Sequence, residues 1–132
     1  MSSVFSTALS ALAAQSKRLE VSASNVANVR SLGLRAGGAE PQPGAFVPHR
    51  VALISTAGGG TAAKTVPVSP PSFLAFDPGD PNADADGLVP RPNVSLEREV
   101  VTQIEALRAF QANVKVIEAE DERLGTLLDL LS

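Results

Sequence analysis

The sequence predicts a mainly α fold in which two long terminal helices flank a Pro/Gly-rich middle of loops and short β-strands. Both ends of the chain repeat apolar residues at alternating spacings of four and three, which is the period of one helical stripe. The ten prolines and all but one of the ten glycines fall between the two ends. The absence of Trp and Tyr leaves five Phe as the only aromatic residues, so any core is aliphatic and thin.

The N-terminal segment, residues 1–30, is predicted to form the first helix. Glycines and prolines follow it and cannot propagate a helix, because they supply positive φ or lack an amide donor. We expect the helix to end near residues 28–30. Its apolar or small stripe comprises Phe5, Leu9, Leu12, Ser16, Leu19, Ala23 and Val26.

The middle segment, residues 31–93, is predicted to be irregular with short β-structure. Two runs, residues 46–55 and 64–76, have strand-like composition, and a hairpin can turn across Gly58, Gly59 and Gly60. So long a segment without regular structure is typical of regions that pack on partners. We therefore expect part of it to become ordered only in an assembly.

The C-terminal segment, residues 94–132, is predicted to form the second helix. Asn93 or Ser95 can serve as N-cap, and Glu97 and Glu99 place negative charge in the first turn, where it suits the helix dipole. Its apolar stripe comprises Val100, Ile104, Leu107, Phe110, Val114, Ile117, Leu124, Leu128 and Leu131, with Asp121 interrupting it.

Two long apolar stripes on so thin a core indicate that an isolated helical pair is marginally stable and that neighbouring copies complete the core. The sequence therefore predicts a non-enzymatic structural subunit. The residues that we assign to subunit packing are Phe5, Leu9, Leu12, Leu19, Asn25, Val26, Asn28, Val100, Ile104, Leu107, Arg108, Phe110, Val114, Ile117, Leu124 and Leu128.

Composition argues against several other functions. A net charge of −3 and a pI near 5.1 give no basic surface for nucleic acid or anionic lipid. No apolar run is long enough to cross a bilayer, so we predict no direct membrane insertion, and we see no cleaved signal peptide. Without cysteine there is neither a thiolate nucleophile nor a thiolate metal site.

Three motifs imitate chemical sites. Residues 58–65 read GGGTAAKT, like a phosphate-binding loop, but Ala63 replaces its second glycine and a proline-containing run follows where a helix is required. Residues 80–86 alternate acidic and amide side chains, as in a calcium loop, yet Asn93 occupies the place of its bidentate Glu. His49, the only histidine, has no framed nucleophile beside it. We therefore predict no catalytic residue, metal, cofactor or small-molecule substrate.

Two stretches carry a family resemblance. Residues 24–34 read SNVANVRSLGL, and residues 77–113 contain the elements PNAD at 81–84, PNV at 92–94 and QIEALRAF at 103–110, with ANV following at 112–114. Together they resemble the flagellar basal-body rod protein family, on its proximal-rod branch. In the first stretch Leu32 and Leu34 stand where the family usually has proline and tyrosine.

The resemblance implies that the terminal helices pack as an antiparallel coiled coil and that subunits stack helically into a rod transmitting torque from motor to hook. It implies as partners other copies of the chain, other rod proteins, basal-body rings and the export gate. It also implies export by the flagellar type III apparatus to the periplasmic rod. The alternative is a soluble coiled-coil adaptor that binds one partner helix.

Overall fold

The computed structural model describes residues 3–33 and 44–131. Two helices, α1 (Ser3–Ala27) and α2 (Leu96–Leu131), enclose four strands, β1 (His49–Ser55), β2 (Thr61–Pro67), β3 (Ser72–Phe76) and β4 (Leu88–Pro92). The predicted fold class is confirmed, with two long terminal helices packed together and short antiparallel strands between them. Residues 1, 2, 34–43 and 132, which belong to the predicted segments, lie outside the described residues.

The two helices run antiparallel. Arg18 donates to Glu105 at 3.1 Å, whereas Asn25, further along α1, donates to Glu99, which lies earlier in α2, at 2.8 Å. Of the two predicted N-cap residues of α2, Ser95 caps the helix: its hydroxyl oxygen accepts from the Arg98 amide at 3.4 Å.

The strands form two separate antiparallel hairpins. β1 pairs with β2, with Ser55 opposite Thr61, so the chain turns across the three predicted glycines. β3 pairs with β4, with Phe76 opposite Leu88. The single strand expected over residues 64–76 is instead two strands, because between Val68 and Pro71 the chain passes from the β1–β2 hairpin to the β3–β4 hairpin.

Each hairpin is anchored to the helices. The β1–β2 hairpin lies along α1, where the Thr61 amide donates to the Ser10 hydroxyl at 3.1 Å. The β3–β4 hairpin holds the chain that follows α1, because the Gly33 amide donates to the Pro90 carbonyl at 2.9 Å. Both hairpins therefore pack on the first helix or its exit, and α2 packs along another side of α1 that leaves Leu9 exposed.

The core is made of small side chains. The buried apolar residues are Ala8, Ala14, Val89 and Ala106, and fully buried prolines include Pro48, Pro90 and Pro92. Within residues 3–33 and 44–131, eighteen large apolar side chains are exposed, most of them on α2. Across the part of the chain that the structure describes, neither helix has the length and apolar character needed for a transmembrane span.

Candidate assembly surface

The helices touch through a stripe of small and polar residues, the inner stripe. On α1 its buried members are Ala8, Gln15, Ser22 and Asn25, and on α2 they are Ala106 and Glu120. The helices meet along this stripe and not along the neighbouring stripe of large apolar residues, because small side chains let two helices approach closely. The larger residues consequently flank the contact or face outward.

Asn25 is the polar centre of the inner stripe, with only 2% of its surface exposed. Its amide nitrogen donates to the His49 carbonyl at 2.7 Å and to the Glu99 carboxylate at 2.8 Å. Its amide oxygen accepts from the His49 backbone nitrogen at 3.1 Å. One side chain therefore joins α1 to β1 and α2, and satisfies backbone groups at the start of β1.

Further polar contacts fix the register of the helices. The Gln103 amide donates to the Ser22 hydroxyl at 3.1 Å, and that hydroxyl lies 3.3 Å from the Glu99 carbonyl oxygen that accepts from it. Such bonds are satisfied only at one axial offset, because a shift along the pair separates donor from acceptor. The inner stripe thus specifies register while supplying little apolar burial.

Asn28 organises the exit from α1. Its side-chain amide donates to the Ser24 carbonyl at 2.9 Å, and its oxygen accepts from the Ser31 hydroxyl at 3.1 Å. Both bonds are local, so Asn28 shapes the end of the helix, whereas Asn25 reaches across the molecule.

Arg91, a residue that the sequence analysis missed, fastens this exit to the β3–β4 hairpin. Its guanidinium donates to the Arg30 carbonyl at 3.0 Å, to Asp77 at 3.1 Å and to Asp80 at 2.9 Å. Three acceptors around one guanidinium suit its planar set of donors. An arginine between two prolines carries no sequence signal of this role, since its partners are 11 to 61 residues away.

The acidic turn between β3 and β4 satisfies its own carboxylates. Asp80 accepts from the Asn82 backbone and side chain at 2.8 and 3.0 Å, and Asp84 accepts from the Asp86 and Leu88 amides. The Asn82 backbone amide, the Asn82 side chain and the nearby Arg91 lower the pKa of Asp80 below its ordinary value. This turn shapes the hairpin with the same oxygens that resembled a calcium loop.

The other chemical look-alikes are also structural. Gly58 to Lys64 form the turn and first residues of β2, and Gly59 and Gly60 have positive φ. His49 is half-buried at the start of β1 and its backbone is held by Asn25. Among the described residues no three His, Cys, Asp or Glu side chains come close enough together to hold a metal ion.

A continuous apolar surface, the outer face, lies on the side of the helix pair away from the β1–β2 hairpin. Helical periodicity and antiparallel packing place Leu9, Leu12 and Leu19 of α1 on the same side as Val100 and Leu107 of α2. Leu9 is 55% exposed, and Val100 and Leu107 are 52% and 49% exposed. Leu9, Val100 and Leu107 are therefore open to solvent in the subunit, whereas Leu12 and Leu19 are half-buried.

The residues assigned to subunit packing divide by exposure. Those that are exposed lie mainly on α2, those that are half-buried lie on both helices and at the exit from α1, and one is buried. The exposed set is Leu9, Val100, Ile104, Leu107, Arg108, Leu124 and Leu128; the half-buried set is Phe5, Leu12, Leu19, Val26, Asn28, Phe110, Val114 and Ile117; Asn25 is buried.

The end of α2 projects beyond α1. Counting about 15 residues from Arg18 back to Ser3 carries α2 from Glu105 to about Glu120 at equal rise per residue. Residues 121–131, here called the overhang, therefore extend about 16 Å past Ser3. Every residue of the overhang is exposed.

Comparison with known proteins gives consistent matches at both ends. Residues 5–29 match the family model described as flagella basal body rod protein, and residues 85–130 match the model described as flagellar basal body rod FlgEFG protein C-terminal. The chain is 41% identical over 116 residues to the flagellar basal-body rod protein FlgC of Salmonella typhimurium strain LT2, covering 86% of this chain and 85% of that protein.

Two further relatives carry the same name. The Yersinia enterocolitica protein is 43% identical over 116 residues, covering 86% of this chain and 85% of its own length. The Bacillus subtilis strain 168 protein is 31% identical over 142 aligned residues, covering 92% of this chain and 91% of its own length. The similarity therefore includes the middle of the chain as well as its helices.

Proposed function

The chain belongs to the FlgC family of flagellar basal-body rod proteins and is a structural subunit of the rod, and we propose that it works by presenting its outer face to neighbouring subunits. Family membership implies assembly with other rod subunits. More specifically, we propose that the chain stacks helically in the proximal rod and transmits torque from motor to hook. Its terminal helices, within residues 1–30 and 94–132, carry the load, and residues 31–93 contact neighbours.

The observation that supports this mechanism is the exposure of Leu9, Val100, Ile104 and Leu107, each about half accessible on helices whose mutual contact is small and polar. Burying one such side chain fully stabilises by roughly 1.5–3 kcal/mol. Because these side chains are already about half-buried, a free subunit leaves about half of that stabilisation unused, and a neighbour that covers the outer face gains it. Burial of these apolar side chains therefore favours assembly more than it stabilises the free subunit.

The inner stripe suits a load-bearing part. Its hydrogen bonds between Ser22, Asn25, Glu99 and Gln103 hold one axial offset, so a shear that slides one helix along the other must break several bonds together. As partners we propose other rod proteins together with basal-body ring and export-gate components. Export through the flagellar type III apparatus to the periplasmic rod belongs to the same proposal.

The test replaces the native gene in its bacterium with a Leu107→Lys variant. A lysine on the outer face buries a charge at the subunit contact, so we expect loss of swimming in soft agar and loss of rods from purified basal bodies. Leu107 is half exposed in the subunit, so the variant protein should accumulate normally on an immunoblot.

The matched control is Ala119→Lys, which adds the same charge at an exposed position about 120° around α2 from Leu107. We expect this variant to swim. Normal swimming by Leu107→Lys at a normal protein level contradicts an assembly role for the outer face.

A further inference from the structure

A cleft separates the first strand from the second helix. Asn25 of α1 bonds to both, through the His49 carbonyl and the Glu99 carboxylate, yet no Cα atom of β1 lies within 8 Å of a Cα atom of α2. The space between them has a volume of about 470 Å³, which is within the range of ligand-binding clefts in proteins. Residues 49 and 50 of β1 line one wall, and residues 98, 99 and 102 of α2 line the other.

The cleft is rich in positive charge, although the chain as a whole carries a net charge of −3. Arg50 and Arg98 line opposite walls, and both residues are exposed. In the described ranges neither forms an ion pair, whereas three other arginines pair with carboxylates at 2.8–3.1 Å. The two nearby carboxylates have other partners, because Glu99 accepts a bond from α1 and Glu97 accepts from the Ser95 hydroxyl at 2.8 Å. Two guanidinium groups therefore line the cleft without a bonded carboxylate.

These groups suit an anionic ligand that accepts hydrogen bonds. A guanidinium donates two parallel hydrogen bonds to one carboxylate, so Arg50 and Arg98 together provide for two carboxylates. Their Cα atoms are more than 8 Å apart, which favours two carboxylates on one segment over a single small anion. The His49 imidazole and the Thr102 hydroxyl add polar groups to the lining. An apolar ligand would bury these groups without partners and is disfavoured by that cost.

The cleft is also separate from the outer face. At about 100° per residue, Arg98 and Val100 point about 160° apart around α2. The cleft lies on the side of the helix pair that holds the β1–β2 hairpin, whereas the outer face lies away from that hairpin. A ligand in the cleft therefore leaves the outer face open to neighbouring subunits.

We propose that this cleft binds an acidic peptide segment of a partner protein, with Arg50 and Arg98 each engaging one carboxylate. Both arginines are exposed, so a macromolecule can reach them. The site discriminates between partners, because a segment without carboxylates leaves both guanidinium groups unpaired. This inference goes beyond the proposed function, since assembly through the outer face does not require the cleft to be filled.

The test measures binding of a synthetic tetraglutamate peptide to the purified full-length chain. An uncharged fluorescent label on the peptide reports binding as a rise in fluorescence anisotropy, and tetraglutamine with the same label is the uncharged control peptide. We expect tetraglutamate to bind with an affinity that falls as salt concentration rises, and tetraglutamine not to bind. Absence of tetraglutamate binding at low salt overturns the inference.

The decisive variant is Arg50→Gln with Arg98→Gln, which removes both guanidinium groups. We expect its affinity for tetraglutamate to fall at least about tenfold, because charge-assisted hydrogen bonds are lost. Arg30→Gln with Lys64→Gln removes the same charge at exposed positions outside the cleft and should bind within about twofold of the native chain. Circular dichroism checks that each variant is folded. If the double variant is not, the single variants Arg50→Gln and Arg98→Gln replace it, and each should bind more weakly than the native chain.

Equal losses in the cleft variant and the control variant overturn the inference, because attraction by net charge then explains the binding. Inorganic phosphate that displaces the peptide with equal or higher affinity also overturns it, since the cleft is then a site for a small free anion. These results do not depend on the swimming test of Leu107→Lys. Failure of this inference is therefore distinguishable from failure of the proposed function.

Discussion

At the scale of single residues, Asn25 has an influence that its size does not suggest. It is buried, it pairs both backbone groups of His49, and it donates to the Glu99 carboxylate. Removing a buried hydrogen-bonding group leaves its partners without water or protein to bond, which is more costly than losing an exposed bond. The three elements α1, β1 and α2 therefore depend on one amide.

We expect Asn25→Ala to lower the free energy of unfolding by about 1–3 kcal/mol, because His49 and Glu99 lose their partner. Asn28→Ala is the control, since its bonds to Ser24 and Ser31 are local and partly solvated, and it should cost about 0.5–1 kcal/mol. Urea unfolding followed by circular dichroism measures both. Equal losses for the two variants would contradict the bridging role of Asn25.

Asp80 gives the fold a pH dependence of known sign. Its bonds from the Asn82 amides and the nearby Arg91 hold its pKa below the ordinary value of 3.8. Because the folded state favours the carboxylate more than the unfolded chain does, the stabilisation is complete above that value and is lost as pH falls through the lowered folded-state pKa. We expect Asp80→Asn to be less stable than the native chain at pH 7, with the difference shrinking in strong acid.

The matched comparison for this prediction is Asp86→Asn in the same turn, where the Asp86 side chain is exposed. Its unfolding free energy should follow that of the native chain from pH 7 to pH 2. A gap between Asp80→Asn and the native chain that stays constant over this range would mean that the carboxylate charge does not contribute.

At the scale of elements, helical periodicity located both helices but not the face on which they meet. The apolar stripe beginning at Phe5 and Leu9 was visible because it holds large side chains. The stripe that packs holds Ala8, Ser22 and Ala106, whose value lies in allowing close approach, and small residues are also common on exposed helix surfaces. Sequence spacing alone cannot separate these two uses.

The β-structure was predictable to the extent that local turn chemistry controls it. The three glycines marked the β1–β2 turn, whereas β4 contains Pro90 and Pro92, which argue against a strand. In a two-stranded sheet each strand is an edge, so prolines can face away from the ladder. The contacts of Arg91 with Asp77 and Arg30 could not be predicted, because they depend on how the hairpin meets the exit of α1.

The contact between the exit of α1 and the β3–β4 hairpin can be tested by substituting Gly33. A Cβ atom built there would lie 2.7 Å from the Arg91 carbonyl carbon and 2.9 Å from the Pro92 nitrogen, and both belong to backbone that cannot move aside freely. We expect Gly33→Ala to lower the free energy of unfolding by about 1–3 kcal/mol through overpacking. Thermal and urea unfolding of the purified variant measure the loss.

Gly125→Ala provides the opposite control for this substitution. Gly125 lies in the overhang within α2, and a Cβ atom there meets no atom within 4 Å. Alanine should therefore stabilise that helix by about 0.5–1 kcal/mol. If both variants lose stability equally, the close approach of Gly33 to β4 does not explain the effect of Gly33→Ala.

At the scale of the whole molecule, the accessible surface area is larger than that of a typical folded monomer of the same mass. The chain has 8788 Å² of accessible surface at a mass of 13.6 kDa, whereas folded monomers of that mass expose about 6,600 Å². Two long helices with a small inner contact contribute to this excess. A subunit built in this way gains stability from its neighbours, since association that favours the folded state raises the apparent stability.

We therefore expect the melting temperature of the purified chain to rise over an approximately hundredfold increase in its concentration, because self-association through the outer face is linked to folding. The variant Val100→Ser with Leu107→Ser should fold, since both side chains are already about half exposed, yet melt at a temperature independent of concentration. Calorimetry at matched heating rates measures both proteins. A native melting temperature that does not change with concentration would show that the subunit's stability is independent of its neighbours, and the exposed leucines and valines of the outer face would then need another explanation.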